Sequence, residues 1–201
     1  MKFKNLFVPI FLASIFLPLS SCVPPEEIFH EAYSIENNAI ISIENNQNTF
    51  HIDDTIIIET VIENSQTTTN NQSINLTDSF YADTPESIRL YNTLYLFKES
   101  NFGRPVSVHI KNEYLEVMDG EAETNANPGI NIVNIYNGTV FKSKFGIQLK
   151  EKGTYYLSGS YIIKQKSYTQ FTGGVYQLGT IEINSTIINA DATGLYKFTV
   201  N

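Results

Sequence analysis

From Ala39 onward the chain keeps returning to an alternation of apolar and polar residues, and few architectures can use a period of two. Successive side chains of a strand point to opposite faces, whereas an amphipathic helix repeats near 3.6 residues. Ala39, Ile41 and Ile43 share one face. Between Phe50 and Ile62, the residues Phe50, Ile52, Ile56, Ile58 and Ile62 point one way, opposed mostly by His51, Asp53, Thr55, Glu59 and Glu63. In Ile88 to Phe97, aliphatic Ile88, Leu90, Leu94 and Leu96 oppose aromatic Tyr91, Tyr95 and Phe97. Both faces there are apolar, which places that strand at the centre of a sheet. Val106, Val108 and Ile110 alternate with Ser107, His109 and Lys111. Phe141, Phe145, Ile147 and Leu149 alternate with Lys142, Lys144, Gln148 and Lys150. No stretch of the body carries a helical period of useful length, so the expected class is all-β.

The chain has a single cysteine, so its body must stand on packing without disulfides. A hydrophobic share of 42% and an aromatic share of 12% suffice for a packed core. The sharpest local signal is Leu149-Lys150-Glu151-Lys152-Gly153-Thr154-Tyr155-Tyr156-Leu157, which reads as strand, polar turn with glycine, and strand. Gly153-Thr154-Tyr155 resembles the tyrosine corner of immunoglobulin-like sandwiches, where a tyrosine hydroxyl bonds back to the backbone across a turn. Asn48 to Ile56 likewise resembles the entry to an early sandwich strand of bacterial surface domains. The resemblance implies an immunoglobulin-like antiparallel β-sandwich, expected as a single domain over residues 30–201. Gly173-Gly174, Ile181 to Ile183, and Tyr196, Phe198 and Val200 would supply its closing strands and turns. The body lacks the Cys and Trp hallmarks of antibody domains, so the likeness is architectural. Two stretches are expected as loops. Residues 64–87, rich in Asn, Gln, Ser and Thr, read as a solvated insertion, and residues 119–129 as an acidic loop.

The N-terminal residues follow a different pattern. Met1-Lys2-Phe3-Lys4 is basic, and Leu6 to Leu19 is almost wholly apolar, interrupted by Pro9 and Pro18. A spanning helix needs roughly 20 apolar residues; this run is shorter and reads as a secretory leader. Small Ser20 and Ser21 then precede Cys22. Leu19-Ser20-Ser21-Cys22 resembles the lipobox of bacterial lipoproteins. That resemblance implies a signal peptide over residues 1–21, cleavage before Cys22, lipidation at Cys22, and membrane attachment through that lipid. Residues 22–29 would be the lipidated tether. Within it, Val23-Pro24-Pro25-Glu26-Glu27 resembles the acidic tract with which Bacteroidota lipoproteins direct surface export. The implied location is the cell envelope, at the outer membrane, on its surface or its periplasmic face.

Charge narrows the partners. Thirteen Lys and Arg stand against 21 Asp and Glu, a net charge of −8, and Lys2 and Lys4 belong to the leader, leaving the body more acidic still. Phosphate backbones and anionic headgroups repel such a surface, which excludes nucleic acid and leaves lipid as the means of attachment.

No catalytic residue can be named. His30, His51 and His109 are scattered and lack the closely spaced partners of a zinc site. There is no Gly-x-Ser-x-Gly elbow, and no carboxylate pair stands out. Asp119, Glu121 and Glu123 could offer oxygens to calcium, but without EF-hand spacing. Sugar sites stack rings on exposed aromatics, tryptophan above all, and the chain has no tryptophan. Tyr155, Tyr156, Tyr161, Tyr168 and Phe171 form the remaining aromatic cluster, with Gln170 and Thr172 as polar contacts, and core packing accounts for most of these residues more simply. The expected function is a non-catalytic binding, adhesive or scaffolding role toward an envelope protein partner, without cofactor or metal. The alternative is a glycan-binding accessory lipoprotein of a nutrient-uptake complex.

Overall fold

Ile, Thr, Tyr and Phe alternating along the chain suit a pleated, half-buried surface, and among the described residues they build sixteen strands, β1 to β16 in chain order. The computed structural model describes residues 32–80, 83–124, 127–162, 168–174 and 180–201. Among these residues there is no α-helix, only short 3₁₀ turns. The expected all-β class is therefore the class observed. No helix among the described residues is long and apolar enough to cross a membrane. Cys22, His30, the leader and the tether lie outside the described residues.

The longest strand, β7 (Arg89–Glu99), is the hub. One of its edges pairs with β13 (Gly153–Ser158) and β14 (Thr169–Gly174), the other with β8 (Pro105–Ser107) and β11 (Gly129–Tyr136). From β14 the sheet continues through β15 (Thr180–Ser185) to β1 (Ala32–Glu36). From β13 it continues through β16 (Tyr196–Val200) to β3 (Thr49–Phe50). On the far side of β11 comes β12 (Val140–Gln148), then β4 (Thr55–Glu63) and β2 (Ile41–Ile43). The result is one large, curled, mixed sheet. A purely antiparallel arrangement was the expectation, and it is corrected here: β1 runs parallel to β15, and β3 to β16. Both parallel pairs join segments remote in sequence, so no hairpin sets their direction.

The β11–β12 hairpin is paired only at Ile135–Lys142 and Tyr136–Phe141, and then its strands part. Into the fork runs β9 (Leu115–Asp119) along β12; the chain reverses at Gly120, and β10 (Glu121–Thr124) returns along β11. The acidic stretch expected as a loop is thus largely a pair of strands, because each finds an unpaired edge in the fork. Residues 64–87 also differ from the solvated insertion expected. They contain a hairpin of β5 (Ser65–Thr67) and β6 (Ser73–Asn75), and Leu76 and Phe80 enter the core. A third correction concerns Phe50 to Ile62, which is two strands in different ladders. Asp54 accepts a hydrogen bond from the His51 amide at 2.7 Å, Asp53 takes φ +72, and Ile52 is left 40% exposed.

Burial follows the alternation inside each strand. Ile56, Ile58, Ile62, Leu90, Leu94, Leu96, Phe141, Phe145 and Ile147 belong to one continuous core with Phe50, Leu157 and Phe198. Polar side chains cross this core in a row: Asn134 donates to the Leu90 carbonyl at 3.0 Å and to Asn92 Oδ1 at 2.9 Å, and accepts from the Ser143 hydroxyl at 2.8 Å. The Tyr155 hydroxyl donates to the Glu151 carbonyl at 2.8 Å, closing the turn that Gly153 opens. Tyr155→Phe keeps the ring and removes this bond. It is expected to cost about 1 kcal/mol in a chemical denaturation titration; an unchanged midpoint would show that the corner contributes nothing.

Candidate functional site

The aliphatic face of β7 packs into the core, and along the first half of the strand its other face meets no second layer among the described residues. Tyr91 is 41% exposed and Tyr95 is half-buried. Both were expected inside; the correction arises because the curl of the sheet covers one side only. Phe97, further along the same face, is buried. A groove of about 740 Å³ results, floored by β10, β11, β7 and β14.

Register sets out the floor in rows. Glu121, Val133, Tyr91 and Thr172 lie side by side across four strands, and Glu123, Asn131 and Thr93 form the next row. Opposed residues on neighbouring strands present side chains to the same face. Gly129 lies opposite Tyr95, and a Cβ there would stand 3.0 Å from the Tyr95 ring and 2.6 Å from Thr93 Cγ2. The glycine thus leaves room for the ring to lie across the sheet. Tyr161 forms a wall, its ring centroid 5.6 Å from that of Tyr95 and 6.2 Å from that of Phe97. Two bonds shape the turn that carries it: the Ser158 hydroxyl donates to the Ser160 carbonyl at 2.8 Å and accepts from the Ser160 amide at 3.0 Å. Gly159 packs directly on Thr169, bringing Tyr161 close to β14 and its Gln170.

The aromatic cluster read from sequence therefore divides. Tyr161, Tyr168, Gln170 and Thr172 line the groove. Tyr155 and Phe171 are buried in the core, and the Tyr156 hydroxyl bonds Glu99 at 3.2 Å away from the groove. Tyr91, Thr93, Tyr95 and Asn131 were missed as groove residues. Their trace in the sequence was Tyr91-Asn92-Thr93-Leu94-Tyr95, whose odd positions all carry a hydroxyl and suit a wet face better than a closed one.

Other candidates hold less. Asp119 faces Lys142 at 3.6 Å, whereas Glu121 and Glu123 line the groove. Among the described residues no three His, Cys, Asp or Glu come together to hold a metal. His51 is exposed beside Asp54, and His109 lines a second cavity of about 360 Å³. That cavity has an apolar throat and three lysines, but each lysine faces a carboxylate: Lys98 to Glu151 at 2.6 Å, Lys111 to Glu113 at 3.3 Å, and Lys150 to Asp53 at 2.7 Å. Its hydrogen bond to Glu151 holds the Lys98 ammonium above its usual range and holds Glu151 below the usual carboxylate range. No protein-family model matches this chain, and no curated protein sequence matches it.

Proposed function

We propose that this chain is a lipid-anchored protein of the cell envelope whose β body binds and does not catalyse. The single observation that carries the binding role is the open groove, with tyrosine rings and neutral polar groups displayed on a hydrogen-bonded sheet. Its two carboxylates, Glu121 and Glu123, stand on one strand along one rim. Glycoside hydrolysis needs carboxyl groups on both sides of the bond, and the opposite rim offers Gln170 and Thr172.

The body is read as an immunoglobulin-like sandwich. One layer would be β2, β4, β12 and β9, and the other β3, β16, β13, β7 and β8. The reading is supported by those ladders, by the Tyr155 corner, and by the terminal strand running parallel to an early one. Of the two ligand classes expected from sequence, another envelope protein or a glycan, the groove favours the glycan.

Anchoring rests on Leu19-Ser20-Ser21-Cys22, with the outer membrane as the site and the surface as the exposed side. Cys22→Ala is expected to move essentially all of the protein from the membrane to the soluble fraction. Labelling of intact cells with an impermeant amine reagent should modify the wild type. A Cys22→Ala protein that stays with the membrane overturns the anchor; a wild type that is bound but unlabelled places the body on the periplasmic face.

A further inference from the structure

We propose that the groove is a binding site for a neutral saccharide chain, stacked on Tyr91 and Tyr161 and hydrogen-bonded by Asn131, Gln170 and Thr172. This rests on the reading of the body as a binding module and names the class of its ligand.

Tyr161 is 54% exposed and Tyr91 is 41% exposed, so two rings hold apolar surface against water on one concave face. A ligand with a flat C–H face covers such rings and removes that surface from water. The groove also supplies many small donors and acceptors, from the tyrosine hydroxyls to Thr93, Asn131, Gln170 and Thr172. A polyhydroxylated ring uses both properties at once, because its hydroxyls lie around the edge and its C–H bonds across the face. A purely apolar ligand would leave the polar groups unpaired, at a cost for each.

Charge removes the other classes. Among the described residues no Lys, Arg or His lines the groove, whereas Glu121 and Glu123 do. Nucleotides, phosphorylated ligands and uronic-acid polymers meet repulsion from these two carboxylates, with no cation among the described lining residues to offset it. An extended peptide is disfavoured by the floor itself. β7 is paired with β11 from Arg89 to Tyr95 on one edge, and on the other with β14 up to Tyr91 and with β13 from Tyr95, so a peptide laid on it finds at most Asn92 to Leu94 to pair with. Recognition here must come from side chains. At about 740 Å³ the groove falls within the volume range of small-ligand sites, roughly 300–1,000 Å³.

The test uses the full chain, purified in detergent, and calorimetric titration with short neutral glucans, mannans, xylans and galactans, with polygalacturonate as the acidic control. At least one neutral series is expected to bind and polygalacturonate not to. Tyr161→Ala and Tyr91→Ala should each weaken binding about three- to tenfold, the range of a lost aromatic contact. Gln170→Ala should weaken it as well, while all three variants keep the wild-type melting curve. Silence across the neutral panel overturns the proposal, as does preference for polygalacturonate or wild-type affinity in the Tyr91→Ala, Tyr161→Ala double variant. Release by Cys22→Ala is read separately. A silent panel with normal anchoring defeats the saccharide site alone, whereas a protein that stays with the membrane without Cys22 defeats the anchor alone.

Discussion

Phe198→Ala is expected to lower the unfolding free energy by about 3–5 kcal/mol, the usual cost of removing a buried aromatic side chain. Phe198 is only 1% exposed, and its ring joins three strands. It stacks on Tyr155 of β13 with centroids 5.4 Å apart and planes 12° from parallel, and it meets Phe50 of β3 edge-on at 5.5 Å. The parallel β3–β16 contact has only two register pairs, Thr49–Thr199 and Phe50–Val200. Side-chain packing therefore holds that early strand more than its ladder does. Truncation leaves a cavity where β3 meets β13 and β16, and Tyr155 and Phe50 are each held by their own ladder to β16 and can close it only in part. A thermal melt should show the midpoint falling by about 10 °C, since 1 kcal/mol is worth about 2–4 °C in a domain of this size. Phe102→Ala is the control, because Phe102 is 92% exposed at the turn after β7; its change should stay within about 0.5 kcal/mol. Equal losses in the two variants would show that Phe198 does not hold the closure.

Gly120→Ala should cost about 2–5 kcal/mol, from two sources. Gly120 has φ +67, where a non-glycine residue loses about 1–2 kcal/mol. Its Cβ would also stand 2.5 Å from the Val133 carbonyl oxygen, 2.9 Å from Ser143 Cβ and 3.0 Å from the Lys142 carbonyl oxygen. These atoms belong to the diverging strands β11 and β12, and Ser143 is tied to Asn134 in the buried polar row. The obstruction is ladder backbone, so relief would require the fork to open, at a further cost of about 1–3 kcal/mol. Gly138 separates the two sources. It also has positive φ, at +97, but a Cβ there meets nothing within 4 Å. Gly138→Ala should therefore show the backbone penalty alone. If both variants lose the same stability in denaturant titration, the fork is looser than described. Because Gly120 also sets where β10 starts, its variant should disturb the rim that carries Glu121 and Glu123.

Core and turn residues were legible for local reasons. Phe141, Phe145, Ile147 and Leu149 are buried as their alternation requires, and so are Ile56, Ile58 and Ile62. Gly153 with Tyr155 marked a turn whose hydroxyl-to-carbonyl bond spans only four residues, so the whole interaction lies within one short stretch. The cluster around Tyr161 to Thr172 held half of the groove. The other half, Tyr91, Thr93, Tyr95 and Asn131, comes from strands far away in the chain, and no local pattern links them to it.

What sequence alone determined is the all-β class, an acidic body, and the identity of most buried positions. Each follows from composition or from a period of two, which are properties of neighbours along the chain. Tertiary structure alone decided which face of β7 stays open, where the stretch from Phe50 to Ile62 breaks between ladders, and that the acidic stretch after Asp119 lies in a fork. The physical reason is the same in all three. Alternation says that a strand has two different faces, but which face is covered depends on long-range pairing and on the curl of the whole sheet. A half-polar tyrosine is compatible with either side of that choice, so Tyr91 and Tyr95 could be placed only once β11 and β14 had closed on β7.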